Sequence, residues 1–149
     1  MRYKLVKINA LRVCDSRPKD TRIITQASDA KETLVSFFAS SQDDQERLVV
    51  LALDNKNQVM GLNVVHIGGQ NSSLVDMAVL FRHVLLAGGR AFIVAHNHPG
   101  GDPMPSQEDR NICQAIKLAS LTLQVSFLDF IIVGDESNDL YSFHEAGLI

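Results

Sequence analysis

The chain has 149 residues and a formal net charge of −3, with 46% hydrophobic, 21% charged and 6% aromatic residues and no tryptophan. That length suits one domain, and the composition is that of an ordinary soluble globular protein with an aliphatic core. No apolar run approaches the roughly 18 residues of a membrane span, and the N-terminal MRYKLVKINALRVCDSRPKD lacks the continuous apolar stretch of a signal peptide, so no membrane partner is expected.

In chain order, residues 3–14 (YKLVKINALRVC) read as extended. Asp29 followed by Glu32 is a capping-box pattern opening a helix near 30–39. The polar run from Ser40 to Gln45 is a loop, and Glu46 to Asp54 (ERLVVLALD) is a nearly continuous apolar strand. A turn at Asp54-Asn55-Lys56-Asn57 leads to a return strand, Gln58 to Ile67, ended by Gly68-Gly69, so the pair reads as a hairpin. Leu74 to Ala87 has helical spacing and stops at Gly88-Gly89. Ala91 to His96 (AFIVAH) is a short buried strand. Ser106 opens a helix to about Ser120, Val125 to Val133 is a strand, and Leu140 to Phe143 a last short one. This order predicts an α/β fold: a single domain with one mixed β-sheet flanked by helices.

Charge and cysteine usage add two expectations. Residues 1–31 carry eight Lys/Arg against three acids, +5, which leaves −8 for the remainder. These cations are scattered and no aromatics interleave as stacking platforms, so a solvated surface is favoured over a nucleic-acid footprint. Residues 1–27 are taken as an N-terminal extended, basic segment and 28–149 as the domain proper. Cys14 and Cys113 form no CxxC. Both read as small buried or indifferent side chains, and a reduced, cytoplasmic setting is expected.

The chemistry concentrates in Ala95 to Asp109, AHNHPGGDPMPSQED. Side chains two apart on an extended chain point the same way, so His96 and His98 aim at one point. The Pro/Gly-rich loop 99–103 turns the chain back, with Ser106 at the start of the next helix and Asp109 in its first turn. Two histidines and one carboxylate, with a fourth position left for water, form the pattern of a catalytic zinc site. Ser106 is placed to donate to a developing oxyanion. Each part alone has a plainer explanation: Ser106-Gln107-Glu108-Asp109 is also a capping box, and either histidine alone is an ordinary strand-end residue. The conjunction carries the metal reading. His66, His83 and His144 read as structural or exposed, with His66 of most interest because its strand pairs with that of Glu46. The deaminase signature H-x-E with P-C-x-x-C is absent.

H-x-H-P, six residues and S-x-x-D resemble the signature of JAMM/MPN+ metalloprotease domains, and HNHPGGDPMPSQED is similar to the HNHPSGxPxPSxxD segment of RadC-like JAB proteins. The similarity extends from Glu46–Asn57 through Gly68 to Leu128–Gly134 and Ser142-Phe143, covering about residues 28–149. Three departures stand out: Gly100 where Ser is usual, Phe130 where His is usual, and Asp76-Met77-Ala78-Val79 where P-R-E is usual. The resemblance implies a short stand-alone JAB/MPN-like domain without the N-terminal helix-hairpin-helix segment of longer RadC proteins. It implies one Zn²⁺ per chain on His96, His98 and Asp109, Ser106 as the oxyanion donor and Glu46 as general acid/base. Bottom-up support for Glu46 is its place where an otherwise apolar strand begins; the rival acid, Glu108, is turned about 100° from Asp109 on the helix.

Three function classes follow. The first is a zinc-dependent hydrolase cleaving a peptide or isopeptide bond of a protein substrate, bound along an edge strand beside the metal. The second, implied by the RadC resemblance, is a DNA repair or recombination role, which the net negative charge and the single metal argue against. The third is a non-catalytic MPN-type interaction module, disfavoured by the complete ligand set.

Overall fold

The computed structural model describes residues 23–40, 45–68, 75–134 and 139–149. The extended stretch expected over 3–14 and Cys14 lie outside the described residues.

Helix α1 (Ala27–Ser40) buries Ala27, Ala30, Leu34 and Phe38, a spacing of three and four that makes one apolar stripe. It begins three residues before the position expected from Asp29. The Asp29 carboxylate sits inside the first turn and reaches back, accepting from the Thr25 hydroxyl (2.7 Å), the Thr25 amide (2.8 Å) and the Gln26 amide (3.0 Å). An acid in that place satisfies the free N–H groups ahead of the helix rather than opening it.

Strand β1 (Glu46–Leu53) and strand β2 (Val59–Gly68) form the expected hairpin. At the turn the Asp54 side chain accepts from the Lys56 and Gln58 amides at 2.7 and 2.9 Å, and Asn57 takes a left-handed conformation at φ 57°. Leu48 pairs with His66 but Val49 pairs with Val64, so Val65 is an extra residue in β2. Helix α2 (Met77–Leu86) is shorter than the expected 74–87 because the Asp76 carboxylate caps it, accepting from the Ala78 and Val79 amides. It ends before Gly88, at φ +73°.

Strand β3 (Ala91–His98), helix α3 (Gln107–Leu123), strand β4 (Ser126–Gly134) and strand β5 (Leu140–Ser142) complete the fold. Helix α3 runs past the expected Ser120 and stops where Gln124 turns left-handed at φ 55°. The sheet order is β2-β1-β3-β4-β5, with β3 and β4 parallel and the other neighbours antiparallel. The mixed sheet flanked by helices is as expected.

Helix α1 covers one face, with Leu34 and Phe38 in a cluster with Val49, Leu51, Ile93 and Ile131. Helices α2 and α3 cover the other, with Phe81, Val84 and Ile116 in a cluster with Val50, Val94, Phe130 and Ile132. Coverage on both faces explains why β1 and β3 are unbroken apolar runs rather than alternating ones. None of the described helices is long and apolar enough to cross a membrane. Cys113 is buried and free, and burial pushes its thiol up to about 11.

Candidate metal centre

Strand β3 runs two residues further than expected, through both histidines, because Asn97 and His98 pair with Val133 and Gly134 of β4. Alternation then puts His96 and His98 on one face with Asn97 between them on the other. The imidazole rings meet edge to face, with centroids 4.9 Å apart. Helix α3 supplies the third group. Ser106 caps it, and Asp109 in the third position completes a capping box. The bland and the chemical readings of S-x-x-D are therefore both met: the cap fixes the turn that aims Asp109 at the histidines.

Asp109 is only 2% exposed. Its Oδ1 lies 3.0 Å from His96 Nδ1, and its Oδ2 lies 3.3 Å from His98 Nε2. Oδ2 also accepts from the Ser106 amide and hydroxyl, both at 2.7 Å. Burial opposes ionisation of Asp109, but hydrogen bonds from His96, His98 and Ser106 outweigh it and hold the carboxyl well below the usual carboxylate range. The hydrogen bond to Asp109 raises His98 above its ordinary value, against burial.

The tautomer of His98 tests whether these residues suit a metal. Its Nδ1 lies 2.8 Å from the Asp102 carbonyl oxygen, which can only accept, so Nδ1 carries the hydrogen. In the neutral ring the lone pair is then on Nε2, aimed at the negative Asp109 Oδ2. Two acceptors face each other, and a cation or a proton must lie between them. One donor atom each from His96, His98 and Asp109 fall within 4.8 Å of one another, a spread that a tetrahedral zinc would draw in to roughly 3.3 Å. The residues fit a divalent metal. The Asp102 carbonyl supplies the outer hydrogen bond that metal-bound histidines ordinarily have.

Glu46, at the start of β1, places Oε2 3.7 Å from His96 Nε2 with its side chain about half exposed at 52%. Asn97 holds it there, a role the sequence reading missed. The Asn97 side chain, 6% exposed, accepts from the Arg47 amide (2.7 Å) and donates to the Gln45 carbonyl (3.2 Å). It thus clamps the backbone on both sides of Glu46. The signal was the position between two same-facing histidines, which turns Asn97 to the opposite, buried face.

The departures from the family pattern lie away from the three donors. A side chain at Gly100 would meet nothing within 4 Å. Phe130 is fully buried and packs edge-on against Phe143, centroids 5.0 Å apart. Asp76 caps α2. Glu108 is exposed. His83 is partly buried and His144 exposed, while His66 holds a buried Nε2 with no partner among the described residues. Among the described residues no edge strand lies beside the candidate metal centre, contrary to expectation: β3 is the middle strand, with β1 and β4 beside it and the edges β2 and β5 one strand further out.

Fold and site define an α/β domain with a candidate metal centre at the C-terminal end of its central strand, where that strand runs parallel to its neighbour. The chain belongs to the RadC-like JAB domain family, whose pattern matches residues 24–148. A "UPF0758 protein" of Carboxydothermus hydrogenoformans is 47% identical over 91 residues, 61% of this chain and 40% of that protein. One from Pelodictyon phaeoclathratiforme is 31% identical over 148 residues, 98% of this chain and 66% of that protein. One from Bacillus licheniformis is 37% identical over 118 residues, 79% of this chain and 52% of that protein. The matched regions thus span between 40% and 66% of these curated relatives.

Proposed function

We propose that the chain is a zinc-dependent hydrolase that cleaves a peptide or isopeptide bond. The observation that carries this reading is the convergence of His96, His98 and Asp109, in which His98 Nε2 and Asp109 Oδ2 face each other as acceptors, with the Glu46 carboxylate 3.7 Å from His96. Bound there, zinc would supply a Lewis acid that polarises a carbonyl and makes a water molecule acidic near neutral pH.

The protein's own groups divide the remaining work. Glu46 Oε2 takes a proton from the attacking water and returns it to the leaving amine nitrogen. Its partial exposure leaves room for the substrate, and the Asn97 clamp holds its backbone in register with β3. Ser106 has one hydroxyl proton, directed at Asp109 Oδ2. Turning that proton to the substrate carbonyl oxygen stabilises developing negative charge. The Ser106 amide stays on Oδ2 and keeps Asp109 in place.

The test is metal content by elemental mass spectrometry, followed by a screen of peptide and isopeptide substrates with wild type and Glu46→Gln. Wild type is expected to carry about one zinc per chain. Glu46→Gln should keep the zinc and lose about 10²- to 10⁴-fold in turnover. Equal turnover in the variant would remove Glu46 from the mechanism, and a wild type that takes up no zinc would remove the hydrolase reading.

A further inference from the structure

We propose that Gly134 is a positioning residue for the metal site, acting through the loop 99–105 on the His98 ring. The proposal rests on reading His96, His98 and Asp109 as metal ligands. Gly134 ends β4, pairs with His98 across the parallel ladder, and donates its amide to the Asp139 carbonyl at 2.9 Å. A Cβ at this position would lie 2.4 Å from the Gly101 carbonyl oxygen and 3.2 Å from Pro103 Cδ. The first distance is closer than real Cβ atoms come, and the obstacle is backbone, which cannot swing aside as a side-chain tip could. The demand at 134 is for space, and the ligand loop occupies that space.

What the loop does there links Gly134 to the metal. The Gly101 amide donates to the His98 carbonyl at 3.0 Å, and Gly101 turns left-handed at φ +85°. The next residue, Asp102, is thereby folded back so that its carbonyl accepts from His98 Nδ1 at 2.8 Å. That bond fixes the hydrogen on Nδ1, the lone pair on Nε2 and the rotation of the ring. The Asp102 side chain steadies the same turn by accepting from the Met104 amide at 2.9 Å. Contact thus passes from Gly134 to Gly101, from Gly101 to the adjoining Asp102 carbonyl, and from that carbonyl to the ligand ring. Gly100 offers a matched comparison: it lies in the same loop, yet a side chain there meets nothing within 4 Å.

The experiment is a Co²⁺ titration of the metal-free chain followed by visible absorption, on wild type, Gly134→Ala and Gly100→Ala, with a thermal melt of each in chelator. Gly134→Ala is expected to bind Co²⁺ about 10- to 100-fold more weakly, with altered cobalt bands, as outer-shell losses do. Gly100→Ala should stay within about twofold of wild type, as an open surface change does. Wild-type affinity and bands in a folded Gly134→Ala chain would overturn the proposal. Should that variant melt out in chelator, Asp102→Ala decides. It loosens the same carbonyl from an exposed position, and wild-type cobalt affinity there would also overturn the proposal. A wild type that binds no cobalt overturns the metal site itself, a result distinct from equal binding by wild type and variant.

Discussion

Asp109 and Asp129 are the same residue at nearly the same depth, 2% and 5% exposed, and the fold uses them in opposite ways. Burial favours the neutral acid at both. At Asp109, His96, His98 and Ser106 outweigh burial and hold the carboxyl far below its ordinary value. At Asp129 burial prevails and the carboxyl is raised, although the Ser142 hydroxyl (2.6 Å) and the His144 amide (3.0 Å) both donate to it. The partners make the difference. Asp109 faces imidazole nitrogens that hold either a proton or a metal, whereas Asp129 faces a hydroxyl and an amide that tie the C-terminal turn to β4. The Ser142 hydroxyl extends that tie by accepting from the Glu145 amide at 3.0 Å. A buried carboxylate is a candidate ligand when its partners can exchange a proton for a cation, and a structural staple when they cannot.

The strongest test of this contrast is metal content. Asp109→Ala is expected to lose its zinc, while Asp129→Asn retains about one zinc per chain by elemental mass spectrometry. Loss of metal from both variants would erase the distinction.

The next effect is on stability. Ser142→Ala removes the hydroxyl from a buried carboxylate and should cost about 1–3 kcal/mol in urea denaturation, with zinc content unchanged. A change below about 0.5 kcal/mol would place this variant among ordinary surface substitutions and deny the staple.

A smaller effect is a slope with pH. The folded value of Asp129 lies above its unfolded one, so the unfolded chain releases this proton at lower pH than the folded chain does. The contribution of the protonated group is complete below the ordinary value of 3.8 and is lost as pH rises through the raised folded value. In chelator, wild type should therefore lose ground to Asp129→Asn as pH rises above the ordinary value of 3.8. Asp109, with its value depressed, contributes with the opposite sign: present above the ordinary value and lost as pH falls. A stability gap between wild type and Asp129→Asn that stays flat with pH would show that burial does not govern Asp129.

Much of the architecture was legible because local rules and tertiary packing agree in it. LVVLAL and AFIVA are apolar without alternation, and they became two of the three strands flanked by others on both sides. Asp54-Asn55-Lys56-Asn57 carried its turn in its own side chains. His96 and His98 shared a face because a strand has period two. Element ends were less legible, since they depend on which polar group satisfies a free N–H: Asp29 reached back instead of capping, and Asp76 capped in place of a start at Leu74. The edge-strand expectation is not met among the described residues because strand order is set by non-local pairing, which put the strand of His96 and His98 in the middle of the sheet.

The sequence by itself determined the candidate site residues and their facing, since His96, His98, Ser106 and Asp109 are placed by a strand period, a loop of proline and glycine, and a helix cap. These are effects a few residues long. Only the tertiary structure decided which distant groups lie beside those residues. It brought the start of β1, fifty residues before His96, to within 3.7 Å of that ring. It used Asn97 to clamp the backbone on either side of Glu46. It also seated the ligand loop against Gly134, where only a missing side chain leaves room. Contacts of that range are set by the packing of whole strands, and no local pattern encodes them.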